Sequence, residues 1–165
     1  TYSDCGVIPE PDVNQLVEIA YNASNFHKLL SEEEPRTAFL SFSTKGSAEH
    51  YRVEKVREAV KLFGKKYKNI LHDGELQFDS AIIPEVAKLK DPSSKLKGKA
   101  NVLIFPNLDS GNIAYKITQY LACYNAWGPL LNGFNKPVND LFRGCDVEDI
   151  INITSITAMQ SLLEL

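Results

Sequence analysis

The chain has 165 residues, 44% of them hydrophobic and 24% charged, which is the size of one ordinary domain with ample apolar material for a core and sets disorder aside. A net charge of -3 leaves no electrostatic footprint for nucleic acid or an anionic membrane, so any anionic ligand has to be held by a local site. The three cysteines, Cys5, Cys123 and Cys145, are odd in number and far apart. They form neither a disulfide framework nor a metal cluster of recognisable spacing, which favours a reducing, cytoplasmic setting. No apolar run approaches bilayer length and the N-terminus has neither a charged n-region nor an h-region, so the chain reads as soluble. It begins at Thr1 rather than Met, in the polar stretch TYSDCG, and is read as a piece processed, trimmed or excised from something longer.

Asp12 to Leu30 carries Val13, Leu16, Val17, Ala20, Ala23 and Ser24 at helical spacing, and Asp12 with Gln15 has the pattern of a capping box. SEEEPR is a polar turn stopped by Pro35, and TAFLSFS reads as a short buried strand. Ser47 is placed to cap the next helix, where Val53, Val56, Val60 and Phe63 form an apolar stripe while Arg52, Glu54, Lys55, Arg57, Glu58 and Lys61 face water. NILHDGELQF reads as extended around Asp73-Gly74. SAIIPEVAKLK has helical spacing, with Pro84 starting or interrupting it. DPSSKLKGK is a surface loop, and ANVLIFP is a continuous apolar strand suited to a parallel sheet covered on both faces. NLDSGNIAYKITQYLA follows as a helix with Ser110-Gly111 at its opening and Ile113, Ile117, Tyr120 and Leu121 on one side. WGPLLNGF and KPVNDL are short extended pieces, and a last helix runs from about Asp146 to Leu163. Strands alternating with helices predict an α/β architecture with a mostly parallel sheet flanked by helices.

Three polar turns follow apolar strands or open helices. In FRGCDVED, Gly144 allows a sharp turn and the helix start offers unpaired N–H groups to an anion. Arg143 adds a guanidinium fork, and Asp149 is close enough to act as a base or to pair with it. Ordinary capping explains the same residues: Asp146 caps, Glu148 and Asp149 favour the dipole, and Arg143 neutralises them. SFSTKGSAEH could hold phosphate through Ser43, Thr44, Lys45 and the backbone at Gly46, although it lacks the spaced glycines of a P-loop. In LDSGNIAYK, Asn112 and Lys116 lie one helical turn apart and can point the same way; taken alone, a capped amphipathic helix with a solvated lysine is the better account of them. Open α/β sheets bind ligands at the carboxyl edge where such turns collect. His27, His50 and His72 have no ligand spacing, so no metal is expected. Cys145 reads as packed and Trp127 as core.

SFSTKGSA, DGELQFDSAIIPEVA, GKANVLIFPNLDSGNIAYKI and KPVNDLFRGCDVEDI, in that order, strongly resemble the phosphate acetyltransferases, also called phosphotransacetylases, nearly from end to end. The resemblance implies two α/β domains of the isocitrate/isopropylmalate dehydrogenase-like fold with the active site between them. It makes residues 1-128 most of the second domain and residues 129-165 a C-terminal segment returning to the first, so that the last helix lacks its usual packing partner. It implies reversible conversion of acetyl-CoA and phosphate to acetyl phosphate and CoA, with CoA as substrate, no tightly bound cofactor, no metal, and a cytoplasmic homodimer. Asp149 becomes the base for the CoA thiol and Arg143 the group that stabilises phosphate or the tetrahedral intermediate. Ser43, Thr44, Lys45, Gly46, Asn112, Lys116, Phe142 and Gly144 lie along the cleft.

Two positions depart from the family pattern: Phe142 stands where the motif NDLSRG has serine, and Tyr120 where arginine is common. Both remove polar contacts of the kind that bind CoA. They keep open a non-catalytic acetyl-CoA-binding regulatory domain, as in malic enzyme fusions, beside the transferase; a phosphotransbutyrylase-like relative differs only in acyl chain. The chain by itself is expected to be inactive, with half of its cleft missing.

Overall fold

A computed structural model describes residues 1–162. In chain order the elements are β1 (Tyr2–Ser3), α1 (Val13–Ser31), β2 (Arg36–Leu40), α2 (Tyr51–Lys66), β3 (Leu71–Leu76), α3 (Phe78–Ile82), α4 (Pro84–Lys90), β4 (Val102–Ile104), α5 (Leu108–Leu121) and α6 (Val147–Gln160). The strands form one sheet in the order β1-β4-β2-β3, every pair parallel.

Side chains alternate across a strand, and the two central strands therefore feed two cores. Phe39, Val102 and Ile104 join Leu16, Val17, Ala20 and Ala23 of α1 and Val56, Ala59 and Phe63 of α2 on one face. Ala38, Leu40, Leu103 and Phe105 point the other way, onto Leu76, Ala81 and Leu96, with Ala114 of α5 packed against them. A strand buried on both faces needs a continuous apolar run, which ANVLIFP supplies. The buried Thr37 hydroxyl finds its partner in Ser24 of α1, 2.7 Å away.

α1 begins with the expected capping box: Asp12 accepts from the Gln15 N–H at 2.8 Å, and the Gln15 side chain accepts from the Asp12 N–H at 2.9 Å. Other local expectations are corrected or made definite. His50, not Ser47, is the N-cap of α2, because the Ser47 hydroxyl is engaged earlier, accepting from the Thr44 N–H at 3.0 Å. Asn107 caps α5, accepting from the Ser110 N–H at 3.0 Å, so the helix starts before Ser110-Gly111. Pro84 sits at the first helical position and separates α3 from α4. DPSSKLKGK lies at the surface through Pro92, Ser93, Lys95, Lys97 and Lys99, as expected, but is anchored in the body by the buried Asp91, Ser94, Leu96 and Gly98. Trp127 is 49% exposed, not core.

The C-terminal portion is tied to α1. Ile153, Ile156 and Gln160 of α6 are buried and α6 packs on α1. Asn139 accepts from the Leu131 N–H at 2.8 Å and donates to Thr157 at 2.7 Å, fastening the extended pieces to the helix. Those pieces meet in one antiparallel bridge, Leu130 to Asn139. No described helix is long and apolar enough to cross a membrane.

Candidate active site

The parallel sheet brings the ends of β2, β3 and β4 to one edge. The helix after β2 covers the α1 side and the helix after β4 covers the other. Where neighbouring strands send their helices to opposite faces, the chain diverges and leaves a crevice between the two turns. β2 and β4 are such neighbours. A cleft of about 380 Å³ lies there, lined by Ser41 and Phe42 after β2, Phe105 and Asn107 after β4, and Arg52 and Lys55 of α2 among others. Lys55 is held by Glu10 at 2.6 Å and by the Pro106 carbonyl at 3.1 Å. The cleft thus has apolar walls, hydroxyl and amide groups, and two cations on one rim.

None of the ten residues singled out from the sequence lines this cleft. Ser43, Thr44, Lys45 and Gly46 directly follow its wall residues Ser41 and Phe42, and their polar groups face inward to β3. The buried Ser43 hydroxyl donates to Glu75 Oε1 at 2.8 Å, and the Gly46 N–H donates to the same oxygen at 2.8 Å. Thr44 accepts from the Gln77 N–H at 2.9 Å. The Lys45 ammonium donates to Asp73 and, at 2.8 Å, to the Gly74 carbonyl. Lys45 and Gly46 both have positive φ, 46° and 87°; glycine tolerates this freely, whereas the lysine is strained.

Two carboxylates on β3 organise the turn. Glu75, 2% exposed, also accepts from Arg57 Nε and Nη2, each at 3.1 Å. Burial alone would raise its pKa, but the bonds from Arg57, Gly46 and Ser43 outweigh that and hold it below the usual carboxylate range. Asp73, 7% exposed, is lowered in the same way: burial opposes ionisation, and Lys45, the Gly74 N–H and Ser94 prevail. Arg57, read from the sequence as facing water, instead crosses from α2 to Glu75 and to the Ala48 carbonyl at 3.2 Å. The legible signal was the two acids, Asp73 and Glu75, flanking Gly74 in a segment read as extended.

Asn112 donates to the Cys5 carbonyl at 3.1 Å, toward β1, while Lys116 is exposed beside the Tyr115 ring. At the start of α6, Asp146 and Asp149 form a reciprocal capping box, with N–H to carboxylate distances of 2.9 and 3.1 Å. Arg143 is exposed and enters none of the ion pairs among the described residues. Phe142 is half-buried and lies close to Gly144, where an added Cβ would stand 3.0 Å from the ring. Among the described residues, no group of three or more His, Cys, Asp or Glu is placed to hold a metal ion.

Comparison with known proteins identifies the lineage. The family described as Phosphate acetyl/butaryl transferase matches residues 1–158. A phosphate acetyltransferase of Acetivibrio thermocellus is 52% identical over 160 residues, covering 97% of this chain and 48% of the relative. One from Bacillus subtilis is 50% identical, covering 98% of this chain and 50% of the relative. Among solved structures, the EutD phosphotransacetylase from Staphylococcus aureus superposes with a TM-score of 0.92 at 50% identity, over 97% of this chain and 49% of that one. A branched-chain phosphotransacylase from Enterococcus faecalis shares the fold, with a TM-score of 0.77 at 24% identity. The chain spans about half the length of the curated relatives it matches, and by a match running through nearly all of its own residues it belongs to the phosphate acetyl/butaryl transferase family.

Proposed function

We propose that the protein carrying this chain is a phosphate acetyltransferase, interconverting acetyl-CoA and phosphate with acetyl phosphate and CoA. The observation that carries the reading is identity of about 50%, over 97% or more of the chain, to relatives bearing that name. A cleft at the strand-end crevice with apolar walls and the cations Arg52 and Lys55 on its rim supports it, since an acyl-CoA substrate pairs an apolar arm with phosphates.

In this reading Asp149 takes the proton from the CoA thiol, and the thiolate attacks the acetyl carbonyl of acetyl phosphate. The C–S bond forms, the C–O bond to phosphate breaks, and phosphate leaves with its electron pair. Arg143 holds the charge that builds on the intermediate and the departing phosphate. No electron transfer and no enzyme-bound acyl group is needed. The half-length match supports a two-domain whole: residues 1-128 form most of the second domain, 129-165 return to the first, and the isolated chain lacks half the cleft. The exposed apolar residues Ile113, Ile117 and Leu121 of α5 suit pairing into a homodimer, and the cytoplasm is its compartment.

The test is CoA-dependent formation of acetyl-CoA from acetyl phosphate, by the protein at the full length its gene encodes. Asp149→Asn is expected to lower kcat by roughly 10²–10⁴, the usual worth of a positioned base. An unchanged rate rejects the mechanism. A wild type that binds acetyl-CoA without turnover, and gains turnover with Phe142→Ser, has the regulatory role instead.

A further inference from the structure

The turn after β2 poses a problem of charge and strain. Lys45, a residue with a side chain, is held at φ 46°, a left-handed conformation that is strained for any residue but glycine and persists where the surroundings over-determine it. What over-determines it is visible: the backbone N–H of Lys45 donates to the Glu75 carbonyl at 3.2 Å, the next N–H donates to the Glu75 side chain, and the ammonium is clamped by Asp73 and the Gly74 carbonyl. Asp73 is itself immobilised, accepting from the Ser94 hydroxyl at 2.9 Å, the Lys95 N–H at 3.1 Å and the Gly74 N–H at 2.9 Å.

An ammonium has three N–H donors. Two are engaged, and the third has no partner among the described residues. The side chain keeps 35% of its surface exposed while its partner Asp73 keeps 9%. An exposed lysine ordinarily wanders, and ordering it costs rotamer entropy at the moment of binding. Here that cost is met in folding, leaving a cation of fixed direction at the carboxyl end of β2, the edge where an α/β sheet binds its ligand.

We propose that Asp73 is a positioning residue that aims the Lys45 ammonium at a phosphoryl group bound at this edge. The inference rests on the transferase reading for the identity of the ligand. The phosphoryl group belongs either to phosphate and acetyl phosphate or to CoA. Asp73 touches no substrate; it acts through Lys45, and Glu75 with Arg57 shapes the backbone that carries the lysine.

The experiment is steady-state kinetics on the full-length protein, with KM determined separately for phosphate and for CoA, using wild type, Lys45→Met, Asp73→Asn and the double variant. Lys45→Met raises one of the two KM values by about tenfold or more, the scale of one charge-assisted hydrogen bond. Asp73→Asn raises the same KM by a smaller factor. In the double variant it adds nothing to Lys45→Met, because its effect is transmitted through the missing ammonium. A rise confined to phosphate assigns the cation to the transferred phosphoryl group; a rise confined to CoA assigns it to the coenzyme's phosphates. A full additional effect of Asp73→Asn in the double variant, or unchanged KM values, overturns the proposal. Should Asp73→Asn fail to fold by its urea transition, Ser94→Ala, which loosens the same carboxylate, is expected to raise the same KM, and an unchanged value overturns it. A wild type without turnover overturns the transferase reading and this inference with it, whereas an active wild type with unaltered variants overturns this inference alone.

Discussion

Replacing Glu75 by glutamine tests whether the buried ion pair with Arg57 holds the β2–α2 turn. The carboxylate accepts four hydrogen bonds, from Ser43, Gly46 and twice from Arg57. Glutamine keeps one acceptor oxygen but sets an NH₂ group against donors. Breaking a fully buried pair costs about 3–5 kcal/mol. Arg57 is 28% exposed and keeps Glu54 and the Ala48 carbonyl as partners, so the figure has to be discounted, to about 2–3 kcal/mol at pH 7. For a domain of this size that lowers Tm by roughly 4–12 °C. The pH dependence carries the sharper test. Because the folded-state pKa of Glu75 lies below its unfolded value of 4.5, ionisation stabilises the wild type fully above that value and the contribution fades as pH falls through the folded pKa. The stability gap between wild type and Glu75→Gln, from urea unfolding at pH 7, 5, 4 and 3.5, is therefore constant down to about pH 5 and narrows below 4.5. Other carboxylates titrate in both proteins and cancel in the difference. No gap at pH 7, or a gap that widens in acid, refutes the reasoning.

Gly111→Ala tests the docking of α5. Alanine ordinarily stabilises a helix interior by about 0.5–1 kcal/mol relative to glycine, but here an added Cβ would stand 2.2 Å from the Asp4 carbonyl oxygen. Overpacking against backbone, about 1–3 kcal/mol, dominates, so urea unfolding shows a net loss; a stabilised variant removes the close approach from the account. The thiol of Cys5 is pushed up to about 12 by burial and by Asp4. At pH 8 only about one molecule in ten thousand carries its thiolate, so mass spectrometry after brief iodoacetamide treatment finds Cys123, which is exposed, alkylated well before Cys5. Equal rates contradict the assignment.

The sequence was informative where one physical demand acted on many consecutive residues. The two-faced core of ANVLIFP, the stripe on α2 and the box Asp12–Gln15 each follow from a repeated or paired local pattern. It was uninformative where a residue's partner lies far along the chain. β1 has only Tyr2 and Ser3 and owes its existence to pairing with Leu103 and Ile104, a hundred residues away. Arg57 has the helical position of a solvated residue, yet its length lets it reach Glu75 across the strand–helix gap. The side of α5 carrying Ile113, Ile117, Tyr120 and Leu121 looks like a core stripe but is exposed, because the helix docks through its small residues, Gly111 and Ala114. Periodicity identifies an apolar face; it does not say what covers it.

The same distinction governs Asp149. Capping and proton abstraction are often set against each other, yet a carboxylate has two oxygens and two tasks can share it. Asp149 Oδ2 accepts from the Asp146 N–H at 3.1 Å, which fixes the orientation of the group, and Oδ1 enters no hydrogen bond among the described residues. Asparagine separates the two roles. Its side-chain oxygen can still accept from the Asp146 N–H, so the box survives and α6 loses at most about 0.5–1 kcal/mol from the missing charge at its N-terminus. It has no capacity to take a proton at neutral pH. If Asp149 only caps, Asp149→Asn changes the urea midpoint slightly and leaves kcat intact, while Asp149→Ala lowers stability further by about 1 kcal/mol. If it is also the base, both variants lose kcat to a similar extent despite their different stabilities, and that equality of rates at unequal stability is the outcome that a purely structural aspartate cannot produce.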